Sequence, residues 1–374
     1  MERLLSYATS YHKRYGVVSI QNGRLSLQFF DGDFSNALCI GGNIQECSPL
    51  PLPSRHMEKD MSKWWFNGHL LCNTHTPWKP RCAQELASMI EECIPMIPSH
   101  LQIHCVLNVR DYPWLKEDSS SPFPFLHQPL HWMYYKCPIA IPLSFYGGKA
   151  WKDKLIPPPE HWNVWETTST LRQCKKTISK AVFRGTLTGR YMDGRNIRLQ
   201  ICSLKHESID AGLTAWTERE RVREFKNGVL YIDLPPPSQP LVRAMSLEEQ
   251  ASYKIVLYIP GHVASNRLAW QLCSGCIVLS IQDPSCQAPD MWFHEYLHPT
   301  DICTWKKIFH PTDICTWKYG FTPSDRTVYY ECEAWQVEAA VQWLLTMQPA
   351  PNLTWAKKTF SKSTLQCHLA TQLF

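Results

Sequence analysis

Two short apolar runs, Val17 to Ile20 and Leu25 to Phe30, flank Asn22-Gly23, a two-residue turn signal, so the pattern predicts an opening hairpin. Helical spacing follows in Ala83 to Ile94, which places Leu86, Ile90, Cys93 and Ile94 on one face. An apolar strand, Ile103 to Val109, then ends among Asn108, Arg110 and Asp111. Polar residues at the carboxyl end of a buried strand occupy the position at which open α/β sheets bind ligands. Residues 118 to 165 are dominated by Ser, Pro and aromatics, including IPPPEHW at 156 to 162, and read as an ordered, proline-stiffened connection.

The second half is more regular. Val182 and Phe183 lead as a strand into the loop RGTLTG, Ile197 to Ser203 begins a helix or a strand, and Ser246 to Glu249 forms a capping box that opens a helix. A strand at Ile255 to Ile259 runs into Pro260, Gly261, His262 and then VASNR at 263 to 267, after which Leu268, Gln271 and Leu272 take helical spacing. A strand at Ile277 to Ile281 and a helix at Trp335 to Leu345, striped by Val337, Val341, Leu344 and Leu345, complete an α/β pattern.

A length of 374 residues exceeds the usual size of one core, which predicts two domains. Hydrophobic residues make up 44% and charged residues 19%, and the net charge of +5 is spread without a dense Lys/Arg run. That balance suits a nucleotide-type ligand and argues against a nucleic-acid partner. No apolar stretch reaches membrane-spanning length, and the first sixteen residues lack the apolar centre of a signal peptide, so the expectation is a soluble, cytoplasmic protein without a transmembrane segment. Sixteen cysteines then read as reduced, buried side chains. Cys273 and Cys276, in CSGC, have redox or half-zinc spacing but no second such pair, so a structural role is expected. The segment HPTDICTWK occurs at His298 to Lys306 and again at His310 to Lys318, which reads as a tandem duplication in a surface loop. Its His298, Asp301, His310 and Asp313 are not assigned to a metal.

Two strings carry chemistry. VFRGTLTG at 182 to 189 sets Arg184 beside Gly185, Thr186 and Thr188. An Arg fork grips two anion oxygens, a glycine admits close backbone approach, and threonine hydroxyls complete an oxygen shell. An ordinary strand end with a solvated Arg has the same composition. The strand, glycine turn and helix start at 255 to 267 offers backbone N–H groups and Arg267 to a phosphate, and also fits a plain strand-to-helix connection.

Four strings in order, VLNVRDYP at 106 to 113, VFRGTLTG, IDAG at 209 to 212 and SYKIVLYIPGHVASNRLAWQLCSGCIVL at 252 to 279, resemble the protein O-glucosyltransferase and capsule-associated-protein family, glycosyltransferase family 90. PLSFYGGKAWKDKLIPPP at 142 to 159 and MWFHEYLHP at 291 to 299 match more loosely, so the resemblance covers about residues 100 to 300. It implies a GT-B-like pair of Rossmann-type α/β domains facing a central cleft. It also implies an inverting, metal-independent transfer of a sugar, glucose or xylose, from a UDP-sugar to a hydroxyl of a glycan or protein, with no cofactor beyond the donor. The alternative is an inactive carbohydrate-binding relic of the same fold. Asp111 matches the family's catalytic base. Arg184 and Arg267 match its diphosphate-binding arginines, with Gly185, Thr186, Thr188, Gly261, Val263, Ala264 and Ser265 as neighbours. Asp153 and Asp210 match landmarks without an assigned role, and the RGTLTG loop lacks the second Arg common in the family's string. The expected domains are 1–165 with the catalytic Asp, 166–346 with the nucleotide site, and a 347–374 extension that packs back on the first.

Overall fold

The computed structural model describes residues 14–31, 35–40, 63–66, 69–73, 80–107, 143–144, 154–188, 196–215, 225–226, 229–230, 240–261, 265–282, 290–309 and 317–373. The chain divides into two compact units, one of residues 1–162, 289–294 and 362–374, the other of 163–288 and 295–361. A single cut after 165 therefore does not describe the division, and within 347–374 only 362–374 belongs with the first unit.

The first unit is built on an eight-stranded sheet in the order β4-β5-β3-β2-β1-β6-β7-β8. Its strands are β1 (Arg14–Gln21), β2 (Arg24–Asp31), β3 (Ser35–Ile40), β4 (Lys63–Phe66), β5 (His69–Asn73), β6 (Ile103–Leu107), β7 (Leu143–Ser144) and β8 (Lys154–Leu155). The β1–β2 hairpin turns at Asn22 and Gly23, with φ of 50° and 70°, the left-handed pair that a tight hairpin turn demands and that Asn-Gly supplies. Helix α1 (Pro80–Cys93) buries Leu86, Ile90 and Cys93 of the expected stripe together with Ala87 and Met89, while Ile94 falls in the tighter turn that follows and is only half-buried. Helix α9 (Lys362–Leu373) packs on α1, and the Lys362 ammonium meets Glu92 at 2.8 Å. Trp292, fully buried, donates its indole N–H to His161 Nδ1 at 3.1 Å and lies against the His368 ring at 5.1 Å.

The second unit holds a six-stranded, all-parallel sheet in the order β10-β9-β13-β14-β18-β15, from β9 (Ile178–Thr186), β10 (Ile209–Ala215), β13 (Tyr253–Tyr258), β14 (Ile277–Gln282), β15 (Ile302–Thr304) and β18 (Tyr329–Glu333). Two small hairpins, β11 (Phe225–Lys226) with β12 (Val229–Leu230) and β16 (Lys306–Phe309) with β17 (Trp317–Gly320), complete its strands. Its helices are α2 (Val164–Thr167), α3 (Ser169–Gln173), α4 (Ile197–Cys202), α5 (Leu247–Ala251), α6 (Arg267–Cys273), α7 (Val337–Met347) and α8 (Leu353–Thr359).

Near-continuous apolar strands mark a sheet covered on both faces. On one face Ala181, Phe183, Ile255, Leu257 and Leu279 share a core with Ile201 of α4 and Val341 and Leu344 of α7. The chain leaves β9 for β10 on one side and β13 for β14 on the other, so right-handed crossovers place α4 and α6 on opposite faces. Asn196 caps α4 by accepting from the backbone N–H groups of Arg198 and Leu199, and Ser246 with Glu249 forms the expected capping box of α5. Among the described residues no helix is long and apolar enough to cross a membrane.

Candidate functional site

The reversal of strand order falls between β9 and β13. At such a switch point the outgoing connections diverge and leave a crevice beyond the carboxyl ends of the two strands. Both strings singled out from the sequence end there. Thr188 follows β9 and Gly261 follows β13, and a Cβ on Gly261 would stand 2.7 Å from Thr188 Oγ1 and 3.2 Å from Arg198 Nη2. Gly261 is therefore glycine because another chain segment and a guanidinium lie against it.

Arg198, in the first turn of α4, ties these strand ends together. Its Nε donates to Pro260 O at 3.1 Å, Nη2 to Ile259 O at 2.9 Å, and Nη1 to Thr186 O at 2.7 Å and Thr188 Oγ1 at 2.6 Å. Only 5% of the residue is exposed, so its charge acts in a medium of low polarity. The sequence gives no sign of this role, because Ile197 to Ser203 reads equally as strand or helix and Arg198 belongs to neither recognised string.

Arg267 enters from α6. Its Nη1 donates to the carbonyl of Arg184, and its guanidinium lies 5.7 Å from the centre of the Phe183 ring, which Arg198 also faces at 5.6 Å. Both distances fall within cation–π range. A Cβ on Gly185 would meet Phe183 Cζ at 2.7 Å and Arg267 Nη1 at 3.3 Å, so the glycine admits ring and guanidinium together. Burial pulls the Arg267 pKa below its ordinary value, and among the described residues no carboxylate forms an ion pair with it. A partly desolvated cation without a counter-charge is costly, and an anion placed beside it removes that cost. Ser265 supports the turn, its backbone N–H donating to the Tyr258 hydroxyl at 2.9 Å. Helix α6 has seven residues and Asn266 makes no side-chain cap, so charge in this crevice rests on arginines more than on a helix terminus.

Arg184 is placed differently from the sequence expectation. Strand β9 continues through Thr186, so Arg184 lies within the strand, paired with Gly212 of β10. Alternation turns its side chain away from Phe183 and Arg267. There Nη2 meets Asp210 Oδ1 at 2.7 Å, Nη1 donates to Asp210 O at 2.8 Å and Phe183 O at 2.9 Å, and Tyr253 donates its hydroxyl to Asp210 Oδ2 at 2.5 Å. This group joins β10, β9 and β13. Burial, and then the adjacent Asp210 carboxylate, push the Tyr253 phenol up to about 12. Arg184 thus offers the crevice its carbonyl, which Arg267 holds, and spends its guanidinium on the sheet.

Of the other candidates, Thr186 contributes its carbonyl to Arg198, while Asp111, Asp153, Val263 and Ala264 lie outside the described residues. Cys273 and Cys276 are free and buried, and burial pushes both thiols up, opposite to the lowered pKa a reactive thiol needs. In the first copy of the duplicated segment, Asp301 accepts from the His298 backbone at 2.9 Å and meets Arg326 at 3.1 Å, a turn-capping role. His310 and Asp313, in the second copy, lie outside the described residues.

No protein-family model matches the chain. Similar proteins include uncharacterized protein 035R of Invertebrate iridescent virus 3, 24% identical over 269 residues, which covers 63% of this chain and 23% of that protein. Uncharacterized protein 027R of Frog virus 3 is 29% identical over 226 residues, or 52% of this chain and 23% of its own length. Uncharacterized protein 179R of Invertebrate iridescent virus 6 is 25% identical over 260 residues, or 53% and 21%. The chain thus spans less than a quarter of the length of these viral relatives, to which it is similar over more than half of its own residues.

Proposed function

We propose that the chain is an inverting glycosyltransferase of GT-B type that binds the diphosphate of a UDP-sugar at the β9–β13 switch point and transfers the sugar to a hydroxyl of a glycan or protein. The observation that carries this reading is Arg267, a partly desolvated guanidinium held on the carbonyl of Arg184 near the carboxyl end of β9, with no carboxylate partner among the described residues. The ordered motifs resembling glycosyltransferase family 90 favour a nucleotide sugar over other anions.

In this reading the acceptor oxygen attacks the anomeric carbon while Asp111 takes its proton, and the bond from that carbon to the UDP oxygen breaks. Negative charge grows on the departing diphosphate, where Arg267 and the buried charge of Arg198 oppose it. Arg198 acts chiefly as a fixed field, since its donors are engaged by Thr186, Thr188, Ile259 and Pro260. The proton removal by a positioned base is worth about 10² to 10⁴ in rate.

The test is UDP binding by calorimetry, together with UDP release from a panel of UDP-sugars and sugar acceptors. Arg267→Ala is expected to lose UDP binding, and Asp111→Asn to keep binding and lose release. UDP affinity unchanged by Arg267→Ala removes the proposed phosphate site. Binding without release from any donor in the wild type leaves a carbohydrate-binding or nucleotide-binding protein instead.

A further inference from the structure

Cys367 alone among the described cysteines is exposed. It sits on α9, which packs against α1 within the first unit. Helix α1 ends on Cys93, whose side chain is fully buried. The Cys93 thiol donates to the carbonyl of Gln366 at 3.6 Å. That carbonyl belongs to the peptide bond of Cys367, so the Cys367 Cα lies three covalent bonds, about 4 Å of chain, beyond the oxygen.

Neighbouring side chains fix the same contact. Glu92 Oε2 accepts from Gln366 Nε2 at 3.2 Å and meets the Lys362 ammonium at 2.8 Å. Burial, and then the Glu92 carboxylate, push the Cys93 thiol up to about 12, and the nearby Cys367 sulfur adds to that push. An exposed thiol and a shielded one therefore flank one contact between helices that the rest of the chain separates in sequence. Segments that already touch leave only the Cys367 side chain to turn before a bridge closes, because a disulfide spans Cα atoms within about 7 Å.

We propose that Cys93 and Cys367 are a disulfide site that fastens α9 to α1 when the protein meets a peroxide. The exposed thiol reacts first. Peroxide oxidises Cys367 to the sulfenic acid and is itself reduced, releasing one water. The Cys93 sulfur then attacks the Cys367 sulfur, the S–S bond forms, and the hydroxyl leaves with the Cys93 proton as a second water. The bridge closes a loop through most of the chain, which removes freedom from the unfolded state. Its Cys367 half stays open to a reducing thiol, so the fastening is reversible.

The experiment treats the full chain with hydrogen peroxide, maps the bridges by tandem mass spectrometry of unreduced peptides, and follows thermal unfolding, for wild type, Cys367→Ser and Cys93→Ala. The expected result is a peptide pair joined through Cys93 and Cys367 in wild type, with the loss of two hydrogens. The unfolding midpoint should rise by about 5 °C, and dithiothreitol should reverse both changes. Neither variant should show the bridge or the rise, and the exposed Cys367→Ser variant keeps the comparison valid should Cys93→Ala fail to fold. Cys367 recovered only as a sulfinic acid, or bridged to a second copy of the chain, overturns the pairing. The same rise in Cys367→Ser overturns it in favour of other cysteines. A Cys93–Cys367 bridge that lowers the midpoint overturns the fastening, since the bond then strains the helix contact.

Discussion

The guanidinium of Arg267 is held by the carbonyl of Arg184, while the guanidinium of Arg184 is bound 2.7 Å from Asp210 on the other face of the same strand. The two arginines therefore meet backbone to side chain, and they have different work. One is placed to answer an anion and the other to brace three strands.

Arg184→Ala is expected to unfold more easily without losing phosphate affinity in proportion. The pair with Asp210 is buried on the arginine side, but a third of the Asp210 side chain is exposed, which screens part of it. A loss of about 2 kcal/mol is expected, below the range for fully buried pairs. Urea denaturation checks the stability, and pyrophosphate titration at low temperature checks the site. A large loss of affinity in folded protein would return the Arg184 guanidinium to the crevice.

Arg267→Lys keeps a positive charge and loses the planar fork. Binding of UDP should fall by about tenfold or more, the worth of a charge-assisted bond to phosphate, and Arg267→Ala should fall further. Comparison of the three dissociation constants separates the fork from the charge.

Gly185→Ala introduces a methyl group 2.7 Å from Phe183 Cζ and 3.3 Å from Arg267 Nη1. Overpacking of this kind costs about 1 to 3 kcal/mol, and it should also weaken UDP because it displaces the Arg267 fork. Phe183→Leu in the same chain should recover part of the stability, measured as a double-mutant cycle.

Stability should fall in mild acid. His294 and His368 are both held below the ordinary value of 6.5, chiefly by burial, and His368 Nε2 meets Leu155 O at 2.8 Å. The unfolded chain then takes up protons that the folded chain refuses. Stability is thus complete above pH 6.5 and declines as the pH drops through the window beneath it. Denaturation midpoints at pH 7.5 and 5.5 test this, and His368→Gln should lessen the difference.

Local patterns were legible where one element settles its own shape. Asn22-Gly23 formed its turn, Ser246 and Glu249 formed their capping box, and the stripe of Leu86, Ile90 and Cys93 became buried. The helix expected from Trp335 starts at Val337, because Ala334–Gln336 first makes a tighter turn. VFRGTLTG misled for a related reason: a strand's end is set by its neighbours, and pairing with β10 carries β9 past Arg184 to Thr186. Arg198 was hidden because its partners, Thr186 and Ile259 to Pro260, lie 10 or more residues away in sequence and become neighbours only through the parallel order of the sheet.

The first unit is assembled from three separated stretches, 1–162, 289–294 and 362–374, with the whole of the second unit synthesised between them. During translation its amino-terminal sheet must wait for Trp292 and then for helix α9 before His161 and the Cys93 end of α1 are covered. The nascent first unit therefore spends about 200 residues of elongation with part of its apolar surface unclaimed, on the order of 10 to 40 s at ordinary ribosome speeds, an interval in which a chaperone has something to hold.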